Sequence, residues 1–524
     1  MTATTAARPR GEVHGEPADW SRRTSGWHLG ALVVVVVAFV VSRIAIAHSG
    51  VVFDDRTLND SHQLLELSEL RDHPLRSLAN LHSQPPLFNL FVALGLRAPE
   101  SWHRTLFHLS QLAIGLGLML CLYAVLKRLG VRSAMAVVLV VVFSLSPSVF
   151  LYENWFHYDY PIALMLCLAV LALQRYETGH RLGHAAIFFV LLGTIVLTRS
   201  MFHLFWMAAW VAVLVFHRRG ADWRRVAAVA AVPLVAAVGL HLQRLVTFGT
   251  FSSTSSLGMS LAKLTTFQLT GRERQELVAE RKLSRVALID PFFPVRVYAP
   301  VVPPRPPTGV PVLDDADKTL ADGSTRNNYN HINYLDIDDR YMDDVKRTMR
   351  MRPTAYARGV ATAYDIFFRP PSDFFAIGQN REQVAGLDRL YNHAFYGLIG
   401  GAEDVDGHPD SARQFRQSPG RTAWLSVAAY AVAVFGGAVH LWRRRRRSGD
   451  EPQSWLVLAF LWSTVTYVMV LGTMFEVAEN NRFRLYSDPL VLALVAALVV
   501  AWRRQRPTTR VQPAGWSRAR GRDR

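Results

Sequence analysis

Apolar residues are bunched along this chain into runs of roughly 15–20, separated by polar segments in which arginine recurs. An α-helix needs about 20 residues to cross ~30 Å of hydrocarbon. The spacing therefore predicts an all-α polytopic membrane protein. Ten spans fall near 29–47, 106–126, 134–151, 160–174, 185–198, 201–216, 225–243, 423–442, 454–473 and 488–502. No small-residue cleavage pattern follows the first run, which reads as an uncleaved signal-anchor.

Charge tests that count. With the N-terminus in the cytoplasm, Lys127-Arg128 to Arg132, Arg175 to Arg181, Arg218 to Arg225, Arg443 to Arg447 and the tail from Arg503-Arg504 all fall inside, as the positive-inside bias requires. This predicts a plasma-membrane protein with both termini cytoplasmic. Residues 1–28 read as a disordered N-terminus, 29–244 as a transmembrane core that includes an outer loop at 48–105, and 245–420 as an extracytoplasmic cap. Residues 421–502 are the last membrane helices and 503–524 a basic cytoplasmic tail. The cap should be irregular and mainly helical. Its Pro-rich tract 299–311 must be extended, and 342–368 reads as a helix interrupted near Pro353. The apolar stretch 85–96 is too short to span and should lie on the membrane or dip into it.

Composition removes several classes. Half of the 524 residues are hydrophobic and 19% are charged, against about 25% in soluble domains; mean hydropathy is +0.14. The net charge of +17 would raise nucleic-acid binding in a soluble protein. Here the arginines serve topology, and no nucleic-acid partner is expected. Lysine occurs only as Lys127, Lys263, Lys282, Lys318 and Lys346, never after glycine, so a GxxxxGK[ST] phosphate loop is absent. Cys121 and Cys167 lie inside spans and form neither a disulfide framework nor CxxC. His108, His203 and His241 lack HExxH spacing, and the D-x-D at Asp336-Ile337-Asp338 sits in an acidic helix start, so no metal site is assigned.

What remains unusual clusters on the outer side. Asp54-Asp55 follows the first span, with Asp60 close behind, and Leu81-His82-Ser83-Gln84-Pro85-Pro86-Leu87 leads into the membrane-level stretch. Arg199 sits at a hinge between two apolar runs, where an ionisable side chain is either functional or snorkels to the interface. Glu479-Asn480-Asn481-Arg482-Phe483-Arg484 precedes the last span. Guanidinium forks suit a phosphodiester; internal pairing with Glu476 or Glu479 is the alternative. The turn Tyr152 to Tyr160 is either an interfacial aromatic belt or an acceptor groove lined by Glu153, His157 and Asp159.

This layout resembles the GT-C superfamily of membrane glycosyltransferases: an acidic pair after the first span, a long first outer loop, an H-x-x-P-P-L element at His82 to Leu87, and a terminal E-x-x-R-F-R…P at Glu479 to Pro489. The superfamily includes protein O-mannosyltransferases, lipid A aminoarabinose transferases and actinobacterial mannosyl- and arabinofuranosyltransferases. The chain departs from the common pattern in having Asp-Asp for Asp-Glu and no following Tyr. The resemblance implies an inverting transfer of sugar from a polyprenyl-phosphate donor to a hydroxyl of an envelope glycan, lipid or protein on the extracytoplasmic face. It implies Asp54, Asp55 or Asp60 as general base, and Arg199, Arg482 and Arg484 around the donor phosphate. His82, Gln84, Glu153, His157 and Glu479 are then the sugar contacts. A polyprenyl phosphate leaves as a weak base, so one carboxylate and a cation clamp suffice. No cofactor is required, and a divalent cation is compatible. Membrane lipids are the remaining partners. The alternatives are a lipid or glycan transporter or flippase, which favours internal repeats that are not evident here, and a non-catalytic envelope scaffold, which leaves the aspartates and arginines unexplained.

Overall fold

Among the described residues, seven apolar helices are long enough to cross a membrane: Leu29–His48, Glu100–Arg128, Asp159–Gly179, Trp223–Phe248, Trp424–Arg444, Trp455–Met474 and Asn480–Gln505. An eighth span exists if Ser133–Ser144 and Pro147–Glu153, bent by 60°, count as one. The bend falls where it must, because Ser146 precedes a proline and takes an extended conformation there. Each of the ten expected segments is an apolar helix, but the expected ten spans become seven or eight. Leu182–Val196 and Leu204–His217 have 15 and 14 residues, about 22 Å of rise, and neither crosses ~30 Å of hydrocarbon alone. This computed structural model describes residues 19–61, 63–217, 222–320, 323–398, 422–445 and 454–505.

Glu100–Arg128, Asp159–Gly179, Trp455–Met474 and Asn480–Gln505 are at least half buried and form the centre of the bundle. Leu29–His48, Trp223–Phe248 and Trp424–Arg444 keep most of their apolar surface outward, as lipid-facing helices do. One strong polar network is locked inside. Arg43, in the first apolar run, donates to both carboxylate oxygens of Glu153 at 2.8 and 2.9 Å and to the Ser144 hydroxyl at 2.9 Å. Tyr160 donates to Glu153 at 2.8 Å. Gly115 lets these groups approach its own helix: a Cβ there would overlap Glu153 Oε2 and stand 2.6 Å from the Tyr160 hydroxyl.

Segments between 250 and 398 fold as short helices over one end of the bundle, with a core of their own that includes Met259, Phe267, Tyr298, Tyr341, Val345 and Ile366. The interrupted helix is present as Tyr334–Met351 and Pro353–Phe367, beginning eight residues earlier than expected. Residues 303–308 carry no regular structure, in keeping with their prolines. One two-stranded hairpin, Asp317–Thr319 with Thr325–Asn327, departs from the all-helical expectation. Asn380 clasps Val52 through both backbone groups, at 3.0 and 2.7 Å. Lys263 pairs with Glu476 and also donates to the Val477 carbonyl. The stretch after Pro85-Pro86 is a nine-residue helix, Leu87–Gly95, which buries Phe88, Asn89 and Val92 and leaves Leu94 exposed.

Candidate functional site

The residues singled out in the sequence separate into distinct groups, and the loop Tyr152 to Tyr160 organises the central one. Every residue in it is buried, so the expectation of an interfacial aromatic belt is corrected: Phe374 packs on Tyr152 and Trp155, and Gln63 on His157. Asp54 joins this loop edge-on. Its N–H donates to the Asn154 carbonyl at 2.6 Å, and Phe156 N–H donates to the Asp54 carbonyl at 3.2 Å. The Asp54 carboxylate is buried and receives a two-pronged contact from Arg56, at 2.8 Å on each oxygen. Asp55 is more exposed, with Arg104 Nε 4.0 Å from its carboxylate. The Asp60 side chain lies outside the described residues.

On this loop, a buried polar cluster gathers side chains from four distant stretches. His157 stacks on Trp155 with ring centroids 4.3 Å apart. Its Nδ1 is 2.9 Å from Asp159 and its Nε2 is 2.7 Å from the Gln63 amide oxygen. Burial holds the His157 imidazole below its ordinary pKa, although Asp159 pulls the other way. Asp159 lies 3.8 Å from Arg482 Nε, and Glu479 is 2.8 Å from Arg482 Nη2. Arg199, carried on the break between the two short apolar helices, donates to the Tyr158 hydroxyl. Its guanidinium lies 5.0 Å from the Tyr158 ring and 5.3 Å from the Phe483 ring. No carboxylate among the described residues lies within ion-pair distance of it.

The three arginines differ in how fully their N–H groups are hydrogen-bonded. Arg484 donates to Ser426 at 2.8 Å, to the Arg369 carbonyl at 3.0 Å, and to Asp488 at 3.3 and 3.4 Å. It is fully employed in tying the last helix to its neighbours. Arg199 leaves its buried Nε without a partner, and Arg482 leaves Nε and Nη2 without one in hydrogen-bond geometry; Asp159 Oδ1 is also unmet. A buried guanidinium with unmet N–H groups is costly in isolation, and an anion entering the cluster would satisfy it.

The remaining candidates sit elsewhere. Glu153 belongs to the Arg43–Tyr160 network inside the bundle. His82 is buried, with Nδ1 2.6 Å from Ser255 and Nε2 2.8 Å from the Asn330 carbonyl, and its backbone N–H donates to Asn330 at 2.8 Å. It latches the first long loop to the covering segments. Gln84 offers its backbone carbonyl to Arg244, and its buried side-chain oxygen has no partner.

Sequence reasoning missed Arg43, Gln63 and Arg244. Arg244 is almost fully buried and donates to the carbonyls of Leu81, Gln84 and Ser252. A signal existed for two of these: Arg43 lies within an apolar run and Arg244 at the end of one, on the side expected from the sequence to be outer, where the bias disfavours arginine.

His82 has a measurable consequence. Burial, with Arg244 nearby, pushes its pKa down to about 3, against an ordinary value near 6.5. The unfolded chain binds the proton more readily, so this contribution is complete above pH 6.5. It is lost as pH falls through the window toward 3, at up to about 1.4 kcal/mol per unit. The thermal midpoint of the detergent-solubilised protein should fall between pH 7 and 5, and less steeply in His82→Gln.

No protein-family model and no curated protein matches the chain. Among solved structures it is similar to the crystal structure of the Archaeoglobus fulgidus oligosaccharyltransferase tethered with an acceptor peptide, at 13% identity and a TM-score of 0.38. The match covers 91% of this chain and 49% of that one, so the chain spans about half the length of the protein it matches.

Proposed function

We propose that this multi-pass membrane protein is a glycosyltransferase that moves a sugar from a polyprenyl-phosphate carrier to a hydroxyl acceptor at the covered end of the bundle. The observation that carries this reading is the pair of buried arginines, Arg199 and Arg482, each with an enclosed Nε that has no hydrogen-bond partner. They stand beside the loop to which Asp54 is bridged. Arg199 and Arg482 hold the donor phosphate. The acceptor hydroxyl attacks the anomeric carbon and gives its proton to Asp54. The bond from that carbon to the phosphate oxygen breaks, and the guanidiniums take up the charge that develops on the leaving group. In-line attack inverts the anomeric centre. Arg56, largely exposed, orients the Asp54 carboxylate and can swing aside. Arg484 supports the site without touching donor. His157 and Glu479 border it and are the sugar contacts we favour.

Sidedness follows the same logic. Lys127-Arg128 and Arg503-Arg504 end helices that begin at the covered end, and basic helix ends favour the cytoplasm. The covered end is then extracytoplasmic, where lipid-linked sugars are the expected donors. Mannosyl and arabinofuranosyl carriers are the first to try, through the family resemblance.

Asp54→Asn should lower transfer from a polyprenyl-phosphate sugar by about 100- to 10,000-fold while the thermal midpoint stays near wild type. Asp55→Asn should stay within a few-fold. Loss in Asp55→Asn alone would move the base one residue along, and full transfer in both variants would remove the base from this pair.

A further inference from the structure

At the opposite end of the bundle, a cleft of about 550 Å³ opens between the start of Ser133–Ser144 and the end of Arg484–Gln505. Its walls are apolar, formed by Met135, Leu139, Leu492, Val495 and Val499, and its mouth carries Arg132, Arg503 and Arg504. All three arginines are exposed. None has a carboxylate within ion-pair distance among the described residues. Gly130, at φ +88°, makes room at this mouth: a Cβ there would stand 2.8 Å from Arg504 Nη2. The cleft is separate from the arginine cluster, because the 19 residue steps from Arg484 to Arg503 rise about 28 Å.

An apolar slot that ends in unpaired guanidiniums matches an amphiphile with an anionic head. We propose that this cleft is a binding site for one anionic phospholipid of the adjoining leaflet, with an acyl chain between the two helices and the phosphate at Arg132, Arg503 and Arg504. Arginines at a basic helix end attract an anionic surface in any membrane protein. That attraction alone needs no slot. Here the three side chains line one cavity with apolar walls, and the ligand is read by both parts at once. Polyprenyl phosphate fits less well, since its substrate site lies at the other end.

The test uses the full chain in phosphatidylcholine nanodiscs doped with phosphatidylglycerol, and native mass spectrometry counts the lipids that remain bound. Wild type should retain one phosphatidylglycerol with at least about tenfold preference over phosphatidylcholine. The exposed triple variant Arg132→Gln/Arg503→Gln/Arg504→Gln should lose that preference, and Ala496→Phe, which fills the slot, should lose it too. Loss in the charge variant with full retention in Ala496→Phe would overturn the site in favour of diffuse attraction. Retention in the charge variant, or no preference in wild type, would overturn it as well.

Discussion

Arg482→Ala and Arg199→Ala should each lower transfer from a polyprenyl-phosphate sugar by about 100- to 1,000-fold, the usual cost of removing one preorganised donor from developing negative charge. Both guanidiniums are enclosed, and each has a buried Nε with no hydrogen-bond partner. Arg199 has no carboxylate within ion-pair distance among the described residues, so its loss should cost little stability relative to its cost in activity. Arg482→Ala also takes the cation from Asp159 and Glu479 and should lower the midpoint as well. Arg482→Lys keeps the charge and loses the fork, and should recover only part of the rate. Arg484→Ala is the informative contrast. It leaves Ser426 without its guanidinium partner and Asp488 with only Tyr430, and should lower the thermal midpoint first. Transfer rates and midpoints measured on the same preparations separate the two behaviours. Equal losses of rate and stability in all three variants would make the cluster structural.

The largest stability effect should come from Arg43→Ala. The Arg43 side chain is 10% exposed and Glu153 is fully enclosed, so the variant strands a carboxylate inside the bundle. Breaking such a pair costs about 3–5 kcal/mol, and detergent unfolding should show it as a large drop in midpoint. Arg43→Met combined with Glu153→Gln removes both charges, while the introduced amide oxygen still accepts from Tyr160. The double variant should recover most of the loss, since a buried pair replaced by neutral groups of similar volume is often near neutral. A double variant as unstable as Arg43→Ala would show that the charges themselves are needed.

The membrane architecture was legible because lipid imposes it: apolar runs near the bilayer length and arginines between them leave few alternatives. Span length was harder. The runs at 185–198 and 201–216 are apolar enough, but the break around Arg199 leaves helices of 15 and 14 residues. Composition does not report where a helix stops by tertiary packing.

For the site, the sequence pointed to Arg199, Arg482, His157 and Glu479. Arg482 pairs with Glu479 and lies 3.8 Å from Asp159, which joins it to His157, while Arg199 reaches the same loop through Tyr158. Arg199 follows from the rule that charge at membrane level needs a reason, and Arg482 from arginine standing on the side expected to be outer, where the bias disfavours it. The sequence could not sort Arg482 from Arg484, two residues apart, because the difference lies in Asp488, Ser426 and the Arg369 carbonyl. Only the last of these is a distant backbone atom, yet all depend on helix phase. Glu153 and His157 looked alike in one short turn. Four residues apart, they face different networks. The long first loop gave no hint of Gln63, because a single glutamine is common in any exposed loop and its burial arises from folding onto His157.

The most direct test is mass spectrometry of the lipids that copurify with the gently extracted protein, wild type beside Arg199→Gln/Arg482→Gln, with matched thermal midpoints. The expected result is a polyprenyl phosphate, with or without its sugar, in the wild type and its loss from the variant. Polyprenyl phosphate held equally by both would contradict the assignment of the cluster, and phospholipid alone in the wild type would contradict the lipid-linked donor itself.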